Sequence, residues 1–182
     1  CHKYGLYLFL DGARLGYGLA APDNDLTLPE IAALCDVFYI GGTKVGALFG
    51  EAVVIKNPEL AQDFRYLIKQ NGGMLAKGRL LGLQFDALFT DGLYQEISAH
   101  AIAMAEKLRE AFTAKGYNYL APNRTNQIFV IVPDAHLAKI SEQFEYSYDQ
   151  RIDATHSCVR FCTGWATKEE NVDALIRCVE KL

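Results

Sequence analysis

The 182-residue sequence lacks a long apolar run: no stretch free of Asp, Glu, Lys and Arg exceeds nine residues. A membrane-spanning helix needs about twenty, so none can be drawn from it. Positive charge is not in excess either, with 18 Lys plus Arg against 22 Asp plus Glu and a formal net charge of −4. Nonspecific nucleic-acid binding needs a basic surface to neutralise phosphates and is disfavoured. There is no Cys-x-x-Cys pair, and the five cysteines (Cys1, Cys35, Cys158, Cys162, Cys178) are an odd set among apolar neighbours. These features exclude a disulfide-dense small domain. No signal-peptide pattern opens the sequence, so a cytoplasmic protein with reduced, mostly buried thiols is expected. His156-Ser157-Cys158 with Cys162 lacks the usual zinc spacing and alternates with apolar residues like a packed strand, so no metal is expected.

What is present is ordinary globular composition, 51 % apolar and 22 % charged. That is enough for a sizeable core in one domain or two small ones. Tyr4 to Leu10 reads as a parallel strand covered on both faces, because it scarcely alternates. It runs into the polar turn Asp11-Gly12-Ala13-Arg14. Thr27-Leu28-Pro29-Glu30 has the pattern of a capping box before a short helix. Val37 to Ile40 is a second buried strand, ending in Gly41-Gly42-Thr43-Lys44, and Glu51 to Ile55 is a third. Asn57-Pro58 caps a helix with apolar positions at Leu60, Phe64, Leu67 and Ile68.

Met74 to Phe89 is a second helical stretch carrying Lys77 and Arg79. Apolar residues at Ile97, Ala101, Met104, Leu108 and Phe112 predict one long amphipathic helix over 94–115. After Gly116 the pattern changes to strand (127–132), helix (135–144), one or two strands (145–148 and 158–163) and a final helix capped by Thr167 with Glu170. The organisation expected is a large α/β part over 1–91, a connecting helix over 92–116 and a small α+β domain over 117–182. Three buried strands fall short of the five or six of an average sheet. The chain is therefore expected to be the second half of a larger protein.

Two residues stand out chemically. In open α/β sheets, ligands bind beyond the carboxyl ends of strands. Asp11 lies just past the first strand and Lys44 just past the second. Singly, Asp11 could cap a turn and Lys44 could be a solvated loop charge. Together, among glycines that let backbone approach a bulky group, they suggest an acid and an amine facing one crevice. Thr43-Lys44-Val45 is not a phosphate-loop motif, and no Gly-x-Gly-x-x-Gly follows a strand. A Schiff-base lysine fits better. Its amine must lose a proton to attack a carbonyl, which a partly desolvated, electropositive pocket favours. Pyridoxal phosphate would then need a carboxylate at its ring nitrogen, which Asp11 could supply.

Leu8-Phe9-Leu10-Asp11-Gly12-Ala13-Arg14-Leu15, followed by Tyr39-Ile40-Gly41-Gly42-Thr43-Lys44-Val45-Gly46-Ala47, resembles the low-specificity threonine aldolases. These are β-eliminating lyases of fold type I among pyridoxal-phosphate enzymes. The resemblance implies that Lys44 carries the cofactor, that Asp11 pairs with its ring nitrogen and that Ala13 packs on the ring. It implies that Thr43 reaches the phosphate and that Arg14 faces the substrate carboxylate or cofactor oxygens. Arg160 matches the late arginine that clamps that carboxylate, a task suited to a planar two-point donor; its alternative is a strand-edge charge. Where the family has an arginine soon after Gly-Gly-Met, this chain has Lys77 and Arg79. They either substitute, reaching a neighbouring subunit's phosphate, or form a solvated helix face. His2, His100, His136 and His156 lie outside both motifs and receive no role.

The resemblance thus implies a pyridoxal-phosphate lyase that cleaves a β-hydroxy-α-amino acid to glycine and an aldehyde. Its partners would be a small amino-acid substrate and further copies of itself, as a homodimer or homotetramer. Two alternatives stay open: β-elimination or transamination on the same scaffold, and a non-catalytic scaffold half. Little or no lyase activity is expected of the 182 residues alone.

Overall fold

A computed structural model describes residues 1–182. Two compact units divide the chain: Cys1–Leu19 with Asn24–Glu96, and Ala20–Asp23 with Ile97–Leu182. No helix is long and apolar enough to cross a membrane.

The first unit is built on a three-stranded mixed sheet of β1 (Phe9–Leu10), β2 (Val37–Gly41) and β3 (Glu51–Ile55). β1 runs parallel to β2, with Leu10 beside Phe38, and β3 is antiparallel to β2. Between β1 and β2 lie α1 (Leu15–Leu19) and α2 (Leu28–Leu34). The capping box read at the start of α2 is present. The Thr27 N–H donates to Glu30 Oε2 at 2.7 Å, satisfying a donor that a helix start otherwise leaves unpaired.

Three expectations here are corrected. The strand read over 4–10 is only Phe9–Leu10, and Leu6 (58 % exposed), Tyr7 and Phe9 are uncovered. β1 pairs with β2 alone, so the residues before it have no ladder to complete. The helix read from Asn57 breaks into α3 (Pro58–Ala61) and α4 (Phe64–Gln70), because Asp63 takes a left-handed φ of 57°. The Asn57 cap itself is formed, accepting from Glu59 N at 3.0 Å. The stretch read over 74–89 is helical only as α5 (Arg79–Phe89).

The second unit carries most of the long helix α6 (Leu93–Ala114), followed by β4 (Asn118–Tyr119), β5 (Gln127–Pro133) and α7 (Asp134–Ile140). β6 (Ser147–Arg151), β7 (His156–Cys162) and α8 (Glu169–Glu180) complete it. Its antiparallel sheet has the order β4-β5-β7-β6. β5 alternates strictly, burying Ile128, Val130 and Val132 against Met104, Leu108 and Phe112 of α6 and Val172, Leu175 and Val179 of α8. Burying each such side chain stabilises by roughly 1.5–3 kcal/mol. The cap read at Thr167 is not formed: α8 starts at Glu169, and Thr167 Oγ1 instead accepts from Gly164 N at 2.8 Å. Of the cysteines, only Cys35 and Cys158 are buried, while Cys1 and Cys162 are exposed. Cys162, the last residue of β7, lies exposed between buried Phe161 and buried Thr163.

Candidate active site

The end of β1 and the end of β2 are joined by backbone. Gly41 N–H donates to Gly12 O at 2.9 Å, so the turn after β1 and the loop after β2 form one hydrogen-bonded piece. The approach is too close for side chains. A carbon on Gly41 would lie 2.3 Å from Ala13 O, and one on Gly12 closer still to the Tyr39 carbonyl. The loop then closes on itself, with Val45 N–H and Ala47 N–H both donating to Gly42 O at 2.9 and 3.0 Å. Glu51 Oε2 accepts from Gly42 N at 2.7 Å and ties the loop to β3.

Asp11 and Lys44 stand on this piece. Asp11 is exposed, and its Oδ1 accepts from Ala13 N–H at 3.1 Å and from the Tyr39 hydroxyl. Those two donors, Tyr39 first, and then the charge of Lys44, hold the Asp11 carboxyl below the usual carboxylate range. The same bond and the neighbouring carboxylates push the Tyr39 phenol up to about 12. Lys44 is also exposed, where a partly desolvated amine was expected. The turn-forming loop points it outward while Val45, fully buried, anchors the next residue. Its carbonyl is held by the Tyr17 hydroxyl.

Tyr94, 3 % exposed, fastens the assembly from below. Its hydroxyl accepts from Gly16 N at 3.1 Å and donates to Gly41 O at 2.9 Å, linking α1 to β2. Burial pushes its phenol up to about 12. Ala13 and Arg14 are half-buried in the turn, and Thr43 is exposed beside Lys44. Lys77 and Arg79 are both exposed, Arg79 as the first residue of α5 and Lys77 in the turn before it. Arg79 lines a cavity of about 730 Å³ with Arg65 and Lys69, and Lys77 does not.

Arg160 belongs to the second unit, on β7 opposite Phe129 of β5. Its guanidinium sits 5.9 Å from the Phe129 ring centre, and Nη1 donates to Gln127 Oε1 at 3.2 Å. Its Nε is buried without a partner. In the same unit His100 bonds Thr167 O, His136 the Tyr117 hydroxyl and His156 the Asp153 carboxylate.

The first unit therefore brings Asp11, Ala13, Arg14, Thr43 and Lys44 onto one joined turn and loop. No sequence motif assigns a role to Tyr17, Tyr39, Glu51 or Tyr94. Tyr39 had a usable signal, its place in the Tyr-Ile-Gly-Gly-Thr-Lys run. Tyr94, 53 positions from the Gly41 it holds, had none.

No protein-family profile matches the chain. It is 31 % identical over 179 residues to the low-specificity L-threonine aldolase of Pseudomonas sp. (strain NCIMB 10558), covering 96 % of this chain and 50 % of that one. The solved threonine aldolase of Leishmania major superposes with a TM-score of 0.96 at 42 % identity, over all of this chain and 53 % of that one. Catharanthus roseus tryptophan decarboxylase, at 14 % identity and TM-score 0.71 over 99 % of this chain and 43 % of that one, shares the fold alone. That fold is type I of the pyridoxal-phosphate enzymes, which the α/β reading with a smaller α+β part anticipated. The chain spans about half the length of the curated relatives it matches. It is a homologue of the low-specificity threonine aldolases.

Proposed function

We propose that this chain carries the cofactor lysine and aspartate of a pyridoxal-phosphate lyase that cleaves a threonine-like β-hydroxy-α-amino acid to glycine and an aldehyde. The observation behind this reading is the joined turn and loop, which presents the Lys44 amine and an ionised Asp11 carboxylate together. That donor set fits the cofactor: an aldehyde needs an accessible amine on a fixed loop, and a cationic ring nitrogen needs a fixed carboxylate. Lys44 would hold it through its amine, Asp11 at the ring nitrogen, Ala13 at the ring face and Thr43 at the phosphate. When bound, the cofactor takes up the electron pair released at Cα as the Cα–Cβ bond breaks.

The chain's own residues supply position. Tyr17 and buried Val45 hold the backbone of the Lys44 loop, so that the amine is free to move on a fixed base. Arg14 would face the substrate carboxylate or cofactor oxygens, and Arg160, in the second unit, carries the two-point fork suited to a carboxylate. Assembly as a homodimer or homotetramer belongs to the same reading. Lys77 and Arg79 would then reach a neighbouring subunit's phosphate.

Borohydride reduction of the cofactor-loaded protein, followed by peptide mapping, tests the reading. Label on Lys44 supports it, and label on a different lysine overturns it. Product analysis separates the chemistry: glycine with an aldehyde, ammonia with a keto acid, or a transferred amino group.

A further inference from the structure

We propose that Tyr39 is a positioning residue for Asp11, fixing the carboxylate so that Oδ2 is the oxygen offered to a cationic ring nitrogen. The inference rests on the reading of Asp11 as the partner of the pyridoxal-phosphate ring, and it names the group that orients that partner.

Strand register places the two side by side. Leu10 of β1 is paired in parallel with Phe38 of β2, so the next residues along the two strands are Asp11 and Tyr39. The Tyr39 hydroxyl donates to Asp11 Oδ1, and the Ala13 N–H donates to that same oxygen at 3.1 Å. Both hydrogen bonds that this chain donates to Asp11 go to Oδ1, and none goes to Oδ2. A carboxylate offers about four acceptor sites on its two oxygens. Two donors on one oxygen set the torsion of the group and leave the other oxygen for a donor from outside. Tyr39 is itself held, its ring tilted against that of Phe9 at 6.1 Å, so the hydroxyl arrives on a supported side chain.

The charges nearby act in the same sense. Lys44 faces Asp11, and Glu51 faces Tyr39. Positive charge and donated hydrogen bonds lower the proton affinity of the carboxylate. A proton shared between Asp11 and a ring nitrogen then stays on the nitrogen. Negative charge beside Tyr39 keeps its phenol protonated, so it remains a donor across the neutral range.

The test is Tyr39→Phe in the full chain, which keeps the ring and removes the donor. The first readout needs no cofactor: the titration of the Asp11 carboxyl by carbon-13 NMR, assigned with Asp11→Asn. The Asp11 midpoint is expected to move up in Tyr39→Phe. The second is pyridoxal-phosphate binding followed by absorbance, where the dissociation constant is expected to rise roughly tenfold, the lower end for loss of one hydrogen bond to a charged group. Unchanged titration and unchanged affinity would overturn the inference. If Tyr39→Phe fails to fold, 3-fluorotyrosine at position 39 serves instead. Its more acidic hydroxyl is a stronger donor, so the Asp11 midpoint should fall, and a midpoint that stays put overturns the proposal. Borohydride mapping of the unsubstituted protein keeps the two levels apart. Label on Lys44 with an unmoved Asp11 titration sinks the role of Tyr39 alone. Label elsewhere sinks the cofactor reading, whatever the Asp11 titration does.

Discussion

A side-chain carbon on Gly12 would lie 1.7 Å from the carbonyl oxygen of Tyr39. No rotamer relieves that contact, because the backbone fixes the position of Cβ and its partner is a backbone oxygen. Any residue but glycine must push the turn after β1 away from β2 and break the bond from Gly41 N–H to Gly12 O. Gly12→Ala should therefore destabilise the first unit by about 2–3 kcal/mol, read from the denaturant midpoint. Under the proposed function it should also abolish borohydride label at Lys44. Wild-type stability in Gly12→Ala would show that the two strand ends are not locked together.

Tyr94→Phe should cost about 2 kcal/mol, since it leaves Gly16 N–H and Gly41 O without the hydroxyl that joins them in a buried place. The bridge lies below the loop rather than at its surface. The loss should appear in thermal unfolding before it appears in any binding measurement. An unchanged melting temperature would mean that water replaces the hydroxyl at no cost.

Arg160→Ala tests the proposed carboxylate clamp. Loss of a charge-paired guanidinium should raise KM for amino-acid substrates roughly 30- to 100-fold while leaving pyridoxal-phosphate affinity within about twofold. Arg160→Lys should recover only part, because a point charge lacks the planar fork. Equal losses of substrate and cofactor binding would point to a structural role on β7.

Acid stability has a definite sign at Asp153. Its carboxylate accepts from the backbone of Thr155 and from His156, which lowers its pKa to about 2 from 3.8. A carboxyl whose folded pKa is depressed stabilises the fold above its unfolded value and loses that contribution as pH falls through the folded one. Asp153→Asn keeps an acceptor oxygen but no charge. It should flatten the decline of melting temperature between about pH 4 and pH 2. An acid limb identical to wild type would show that Asp153 is not ionised preferentially in the folded state.

The 182 residues alone should turn over threonine-like substrates poorly, since they span about half of the curated relatives. Steady-state assays of the purified chain, loaded with pyridoxal phosphate, check this. Turnover equal to that of a full-length relative would refute it.

Much of the fold was legible because its signals are local. The spacing of Ile97, Ala101, Met104, Leu108 and Phe112 reports a helix, and α6 runs from Leu93 to Ala114. Thr27 and Glu30 are three apart and cap each other. The misreadings have local causes as well. Asp63 adopts a left-handed conformation that its neighbours do not announce, and Thr167 has a competing donor in Gly164. The run over 4–10 looked like a covered strand because apolar content reports preference for burial, not the presence of a partner.

For the site, the division follows distance along the chain. The sequence by itself determined the residue types and the order of elements. Asp11 follows one apolar strand and Lys44 the next, each among small residues that permit close approach. Tertiary structure alone decided which groups meet them. The register of β1 on β2 sets Tyr39 against Asp11, and the fold of α6 brings Tyr94 to Gly16 and Gly41. Strand register and long-range packing depend on the summed burial of many residues, so no short motif encodes them. The motifs name an acid and an amine, while the packing sets how the acid is held and which of its oxygens is free.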